Sequence, residues 1–176
     1  MSGELTLLIG GSGSGKSALA EQLLSRLPGP RLYIATLLPQ DDECRRRIAR
    51  HRAARANRGF RTVERGCALT ALTVPQGSAA LIECLGTWLS NELFAPGGAG
   101  QAGAEAAVLA GVDHLLDRCA HLIVVGNEVG AGGAEAGLTR TYQQQLGAIQ
   151  CALAQRAGRA AEVCAGIAIW HKGGAK

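Results

Sequence analysis

The feature that most constrains the fold is an eight-residue segment, Gly10 to Ser17, which reads GGSGSGKS. It fits the pattern G-x-x-x-x-G-K-[ST] in full and lies between a short apolar run, Leu5 to Ile9, and a stretch with helical apolar spacing, Ser17 to Leu27. Small residues that tolerate positive φ let such a loop turn its backbone N–H groups inward around phosphate. The segment therefore predicts a nucleoside triphosphate site, with Lys16 reaching the β- and γ-phosphates and the Ser17 hydroxyl facing Mg²⁺. A Rossmann dinucleotide site is disfavoured, because Lys16 and Ser17 have no role in that fingerprint.

Apolar runs and helical patterns alternate along the rest of the chain, and this alternation predicts the fold class. We expect strands at Arg31–Thr36, Phe60–Val63, Ala79–Cys84, His121–Val125 and Val163–Trp170, helices at Asp42–Arg55 and Thr139–Ala161, and a flexible Gly-rich loop at Pro96–Gly103. Such an order is typical of a three-layer α/β/α domain with a mainly parallel sheet. At 176 residues, length favours a single nucleotide-binding domain over residues 1–176.

Composition excludes several classes of protein. Charged residues make up 18% and hydrophobic residues 47%, which excludes a wholly disordered chain. The net charge of +4 and the total of two Trp, two Tyr and two Phe argue against nucleic-acid binding, which needs a larger basic excess or stacking rings. The six cysteines form no CxxC pair, and no apolar run is long enough for a membrane span. We expect a reduced, cytoplasmic protein.

An acidic residue closes one of the predicted core strands. Glu83 ends the run AALIE, and in motor ATPases and GTPases an acid at this kind of position holds the metal together with the loop hydroxyl. Glu83 and Ser17 are therefore the predicted metal ligands, although an acid after an apolar run is also a common strand end. No NKxD-like motif follows, which argues against a signalling GTPase.

Half of the basic residues, nine of 18, lie between Arg45 and Arg65, around a single histidine, His51. Three interpretations remain open for this segment: a solvated helix face, a nucleic-acid patch, or a clamp for a second phosphate group. A lone helical histidine is most often a surface or core residue. Surrounding arginines would disfavour its protonated form, however, and a neutral ring nitrogen can attack phosphorus.

Several blocks of sequence together resemble one family, the bifunctional adenosylcobinamide kinase/adenosylcobinamide-phosphate guanylyltransferases of cobalamin synthesis. The matching blocks are Gly10–Ser17, Tyr33–Thr36, Asp41–Glu43 with Arg47, Ile48 and His51, Arg61–Glu64, Leu81–Cys84 with Thr87 and Asn91, and Asn127–Gly130. They follow the family's order and, roughly, its spacing. This combination is far more specific than the phosphate loop alone.

The resemblance implies a RecA-like P-loop NTPase fold, a homotrimer, and two successive reactions. Such enzymes phosphorylate the aminopropanol hydroxyl of adenosylcobinamide with ATP or GTP, and then transfer GMP from GTP to the product through a histidine–GMP intermediate. His51 matches the guanylylated histidine, and Lys16 is the second catalytic candidate. The positions that match nucleotide contacts are Gly10, Gly11, Ser12, Gly13, Ser14, Gly15, Lys16, Ser17, Ala35, Thr36, Leu37, Arg52, Ala53, Ala54, Arg55, Glu64 and Glu83.

The chain departs from the family pattern after Gly130. Residues Ala131–Glu135 replace a Val-Pro-containing loop, Gln143-Gln144 stand in place of Arg-Asp, and Gln150 replaces the usual Asn, whereas Arg140 and Tyr142 fit. Asn127, Glu128 and Arg140 are candidates to line the acceptor site. Two alternatives stay open: a P-loop small-molecule kinase without the covalent histidine, and a nucleic-acid-dependent RecA-like ATPase that uses the arginine helix.

Overall fold

The computed structural model describes residues 3–39, 42–55, 58–128 and 137–174, and in the helix at 42–55 it describes the side chains other than those at positions 44, 47, 51, 54 and 55. The described residues form seven strands in one sheet, five α-helices and a short 3-10 helix. In chain order the elements are β1 (Glu4–Gly10), α1 (Lys16–Arg26), β2 (Arg31–Ala35), α2 (Asp42–Arg55), β3 (Arg61–Glu64), the 3-10 helix (Leu69–Ala71), β4 (Ser78–Glu83), α3 (Leu85–Phe94), α4 (Gly100–Arg118), β5 (Cys119–Asn127), α5 (Leu138–Arg156), β6 (Arg159–Cys164) and β7 (Ile167–Lys172).

The strand order across the sheet is β3-β2-β4-β5-β1-β6-β7. Every neighbouring pair is parallel except β6 and β7, which confirms the predicted mainly parallel sheet. β5 lies between β1, which leads into the glycine loop, and β4, which ends at Glu83. The carboxyl ends of these three strands therefore meet at one edge of the sheet, where open α/β sheets bind their ligands.

Helices cover both faces of the sheet. In β4, Ala79 and Leu81 pack into the apolar cluster that contains α1, whereas Ala80 and Ile82 pack into the cluster that contains α3, α4 and α5. Successive strand residues point to opposite faces, so a strand covered on both sides is apolar throughout. This arrangement confirms the three-layer α/β/α architecture, and with the glycine loop after β1 it is a RecA-like P-loop NTPase fold.

The structure corrects three predicted boundaries. The predicted Val163–Trp170 strand is two antiparallel strands, because Ala165 (φ 49°) and Gly166 (φ 80°) form a two-residue turn of the kind that joins hairpins. The helix predicted to reach Ala161 ends at Arg156. The Gly-rich loop predicted at Pro96–Gly103 ends earlier, since α4 begins at Gly100 after the buried Glu92 carboxylate accepts the Ala99 N–H at 3.2 Å.

Helix α2 differs from the other helices in its packing. None of its described residues belongs to either apolar cluster, and its described arginines, Arg45, Arg46, Arg50 and Arg52, are exposed. Asp42 and Glu43 in its first turn complement the helix dipole. The prediction of a helix from Asp42 to Arg55 is confirmed. In the described part of the chain, no helix has the length and apolar character needed to cross a bilayer.

Candidate nucleotide site and adjoining cavity

The glycine loop adopts a conformation that its glycines permit. Gly13 and Gly15 have φ values of 73° and 92°, in the left-handed region that other residues rarely adopt. The Ser14 N–H donates to the carbonyl of Gly11 at 3.2 Å, which closes the turn, and α1 begins at Lys16. Its free N-terminal N–H groups and the helix dipole favour an anion at this position.

Lys16 lies under the loop and is only 6% exposed. Its ammonium donates one hydrogen bond, of 2.9 Å, to the carbonyl oxygen of Gly11. An ammonium has three donors, so this bond leaves two for phosphate oxygens. A buried cation beside a loop that presents backbone N–H groups is suited to binding a triphosphate.

The Ser17 hydroxyl donates a 2.8 Å hydrogen bond to Oε1 of Glu83. The structure thus brings together the two residues predicted to hold the metal. Hydroxyl and carboxylate oxygens are the donors that Mg²⁺ prefers, and Mg²⁺ commonly takes one or two protein ligands and completes its shell with phosphate and water. Because the described residues hold no cluster of three or more metal-ligating side chains, this oxygen pair fits a nucleotide-bound Mg²⁺ better than a metal held by protein alone.

A buried set of hydrogen bonds fixes the strand end that carries Glu83. The fully buried Thr36 hydroxyl donates toward the carbonyl oxygens of Glu83 and Cys84, each at 3.0 Å. The Asn91 amide in turn donates to the carbonyls of Thr36 at 2.7 Å and Gly66 at 3.0 Å. Thr36 therefore fixes the backbone at Glu83 and Cys84. Its predicted contact with the nucleotide stays a prediction.

The β6–β7 hairpin contacts the glycine loop, which the sequence did not indicate. The Gly166 N–H donates to the Ser14 carbonyl at 2.8 Å, and a Cβ on Gly15 would lie 3.0 Å from Gly166 Cα. A Cβ on Gly10 would also collide with the Val163 carbonyl. The hairpin thus braces the loop from the side away from β5. The sequence signal for this hairpin is the Ala165-Gly166 pair, which predicts a two-residue turn less strongly than Asn-Gly or Asp-Gly does.

The structure describes the side chains of only some of the site residues predicted on α2. Arg52 Nη1 lies 3.8 Å from Glu64 Oε1, and both side chains are exposed. Ala53 is also exposed, while the side chains of His51, Ala54 and Arg55 lie outside the described set, although their backbones belong to the helix. The structure joins Lys16, Ser17 and Glu83 in one site and pairs Arg52 with Glu64, but it does not relate the His51 ring to the loop.

A cavity of about 570 Å³ lies beside this site, at the same edge of the sheet. Residues after β2, in α3, at the end of β5 and at the start of α5 line it: Leu37, Leu38, Gly86, Thr87, Ser90, Asn91, Phe94, Asn127, Leu138, Thr139 and Tyr142. Burial, with the nearby Cys84, raises the pKa of Tyr142, so its phenol stays protonated and remains a hydrogen-bond donor.

The structure places the three residues predicted to line the acceptor site in different surroundings. Asn127 lines the cavity and its carbonyl accepts from the Gln150 amide at 2.9 Å, so the residue that departs from the family pattern supports this strand end. Glu128 is exposed, with Oε2 4.0 Å from the position of a Cβ on Gly11, which places it beside the glycine loop. Arg140 is exposed on α5 and is not among the described lining residues.

The glycine loop, the buried lysine and the Ser17–Glu83 pair define a P-loop nucleotide-binding protein. A family model described as cobinamide kinase / cobinamide phosphate guanyltransferase matches residues 6–170. The chain belongs to this family. The match extends across residues 131–150, where the sequence departs from the family pattern.

Curated relatives match over nearly their whole length. The bifunctional adenosylcobalamin biosynthesis protein CobP of Pseudomonas aeruginosa is 37% identical over 171 residues, which cover 95% of this chain and 96% of that protein. The bifunctional adenosylcobalamin biosynthesis protein CobU of Escherichia coli is 34% identical over 179 residues, which cover 94% and 98%. Among solved structures, the flagellar accessory protein FlaH from Methanocaldococcus jannaschii aligns with a TM-score of 0.49 at 10% identity, over 97% of this chain and 79% of that one.

Proposed function

We propose that this chain phosphorylates adenosylcobinamide with ATP or GTP, and then transfers GMP from GTP to adenosylcobinamide phosphate through a His51–GMP intermediate. The product is adenosylcobinamide-GDP. The observation that carries this proposal is the family match over residues 6–170, which includes the glycine loop, α2 with His51, and the end of β5. On the same basis we propose that the chain acts as one domain and assembles as a homotrimer.

The first reaction uses the site built around the glycine loop. The acceptor hydroxyl oxygen attacks the γ-phosphorus of the nucleotide, the bond from that phosphorus to the β–γ bridging oxygen breaks, and the nucleoside diphosphate leaves as the hydroxyl proton is released. Lys16 and the loop N–H groups stabilise the charge on the β- and γ-phosphates. Ser17 and Glu83 would hold Mg²⁺, which supplies further charge neutralisation on the phosphates.

The second reaction places a nucleophile on α2. A neutral His51 nitrogen attacks the α-phosphorus of GTP, and pyrophosphate leaves with the electrons of the α–β bridging bond. An oxygen of the acceptor phosphate then attacks the same phosphorus and releases His51. The arginines of α2 supply positive charge, and the described ones are exposed and so available to phosphates. A helix whose described residues lie outside both apolar clusters can approach a bound nucleotide without disturbing the core.

The test is retention of label from GTP. The purified protein is incubated with α-labelled GTP and Mg²⁺, denatured, and assayed for bound label that is stable in base and lost in acid. We expect the wild type and His171→Ala, which removes an exposed histidine on β7, to retain label, and His51→Ala to retain none. Absence of label on the wild type, or equal label on His51→Ala, would contradict the covalent step.

The same preparation separates the proposal from its alternatives. Transfer of γ-label from ATP to adenosylcobinamide, without GMP retention, would identify a small-molecule kinase. Steeply salt-dependent binding of DNA or RNA would point instead to a nucleic-acid-dependent ATPase. We expect corrinoid-dependent turnover with both labels, and nucleic-acid binding that is weak at all salt concentrations.

A further inference from the structure

The geometry points to the cavity beside the glycine loop as the site that holds the uncharged aminopropanol arm of the acceptor, with its amide and the hydroxyl that is phosphorylated. This assignment rests on the proposed function. It gives the acceptor a place made by α3, α5, the end of β5 and the segment after β2. Of the residues that match the family's nucleotide contacts, Leu37 is among those that line it.

Cys84, the residue after Glu83, contacts two residues that line the cavity. The Cys84 sulfur lies 3.3 Å from the Thr87 hydroxyl and accepts a hydrogen bond of 3.5 Å from the Asn127 amide. Both Thr87 and Asn127 line the cavity. A group bound there lies next to the strand end that carries the metal-binding carboxylate, so it is placed beside a nucleotide whose phosphates occupy the glycine loop.

The described lining of the cavity suits a neutral amide better than a phosphate. None of the eleven lining residues in the described part of the chain is charged. A phosphate buried there would lose its hydration without a cationic partner, which is costly. The polar members are hydroxyls and amides, namely Thr87, Ser90, Asn91, Asn127, Thr139 and Tyr142, which both donate and accept hydrogen bonds. The triphosphate therefore belongs to the loop, and we assign the neutral part of the acceptor to the cavity.

Apolar side chains form the remaining wall and extend outward. Leu37, Leu38, Phe94 and Leu138 supply this surface, and Phe94 and Leu138 are 49% and 54% exposed. The volume of about 570 Å³ lies within the range of about 300–1,000 Å³ for small-molecule sites. The arm and the edge of a corrin ring fit inside, and the rest of the ring rests on the exposed apolar rim.

The test compares substitutions at this rim with a matched substitution elsewhere. Phe94→Ala with Leu138→Ala removes exposed apolar surface at the cavity, and Ile167→Ala removes a side chain that is 69% exposed on β7. For the double variant we expect the KM for adenosylcobinamide to rise about fivefold to tenfold, from loss of apolar contact. The KM for the nucleotide and the labelling of the enzyme by GTP alone should not change, and Ile167→Ala should match the wild type.

A polar substitution and a binding measurement complete the design. Tyr142→Phe removes one hydroxyl from the cavity, and we expect it to raise the KM for adenosylcobinamide about threefold to tenfold, the effect of one lost hydrogen bond. Binding is followed directly by equilibrium dialysis of adenosylcobinamide, detected by its absorbance. Unchanged acceptor affinity in both variants, or an equal rise in the KM for nucleotide, would overturn the cavity assignment. A wild type that binds no corrinoid would overturn the proposed function as well.

Discussion

The Ser17 hydroxyl and the Glu83 carboxylate are joined by a 2.8 Å hydrogen bond, although 66 positions separate them in the sequence. Ser17 lies in the first turn of α1, and Glu83 ends β4, with β5 between β4 and the strand that precedes the loop. The predicted metal-binding pair is therefore a product of the sheet order. It forms only when three parallel strands are in register at their carboxyl ends.

Replacing Glu83 with glutamine should impair both reactions. Glutamine retains the size of the side chain and an oxygen that accepts from Ser17, but it loses the negative charge that holds a divalent cation. We expect kcat for adenosylcobinamide phosphorylation to fall about 100-fold, equivalent to about 3 kcal/mol, and the Mg²⁺ concentration for half-maximal rate to rise. The measurement is a Mg²⁺ titration of the kinase rate.

The control for this substitution is Glu105→Gln on α4, which removes a carboxylate that the site does not use. Its rate and Mg²⁺ dependence should match those of the wild type. If Glu83→Gln also shows the wild-type Mg²⁺ dependence, Glu83 has no part in metal binding.

Lys16→Ala should abolish phosphorylation without unfolding the protein. The Lys16 ammonium is the buried cation of the glycine loop, and its loss removes donors to the β- and γ-phosphates; we expect a fall in kcat/KM of about 10²- to 10³-fold. Lys172→Ala is the matched control, because that ammonium donates to the carbonyls of Ala154 and Gln155 and not to the loop. Kinase rates of the two variants, with circular dichroism spectra for each, provide the check. Equal activity would refute the role of Lys16.

Stability should fall in alkaline solution through Cys119. Burial raises the pKa of this thiol from 9.0 to about 11, and the residue is 3% exposed. Between those values the unfolded chain releases the proton and the folded chain keeps it, so the free energy of unfolding decreases as pH rises. We expect this group to contribute a loss of about 2 kcal/mol between pH 8 and about 10.5.

Urea unfolding at the two pH values tests this contribution. Cys119→Ala should show a smaller loss of stability on going to high pH than the wild type, whereas Cys151→Ala, at an exposed position on α5, should show the same loss as the wild type. Identical pH dependence in Cys119→Ala and the wild type would exclude the thiol as the cause.

Alanine substitution at two glycines that have open space around them should change the free energy of unfolding in opposite directions. Neither Gly147 nor Gly166 has an atom within 4 Å of its Cβ position, but Gly147 lies in α5 and Gly166 has φ 80°. Gly147→Ala should raise the free energy of unfolding by about 0.5–1 kcal/mol, and Gly166→Ala should lower it by about 1–2 kcal/mol. Urea denaturation of both variants measures the difference. A destabilised Gly147→Ala would contradict the assigned helix.

The sequence was most informative where structure is set locally. The glycine loop has a fixed residue pattern with its strand and helix beside it, so Gly10–Ser17 was predictable as a loop between β1 and α1. Glu83 was predictable as a carboxylate at the end of a core strand. Core strands such as β4 were predictable because they are buried on both faces and are apolar throughout. The role proposed for His51 comes from the resemblance to a family, since a single helical histidine carries no pattern of its own.

Features made by distant residues were not predictable. The cavity is lined by residues after β2, in α3, after β5 and in α5, and no local pattern marks Leu138 or Ser90 as neighbours of Asn127. The β6–β7 hairpin was missed because its strands and the Ala165-Gly166 turn form one nearly continuous apolar run. The sequence predicts a loop over all of Pro96–Gly103 because its glycines obscure the start of α4, which the buried Glu92 carboxylate helps to set by accepting the Ala99 N–H.

The hydrogen bond between Gly166 and Ser14 affects when, during synthesis, the glycine loop becomes able to bind nucleotide. Ribosomes deliver the glycine loop before the hairpin turn, because Ser14 precedes Gly166 in the chain. The loop therefore acquires this brace only after residue 166 has been made, and a nascent chain that stops before it carries the complete phosphate-binding signature without the hydrogen bond from Gly166. Nucleotide affinity should accordingly rise when the β6–β7 hairpin forms, and so report its formation.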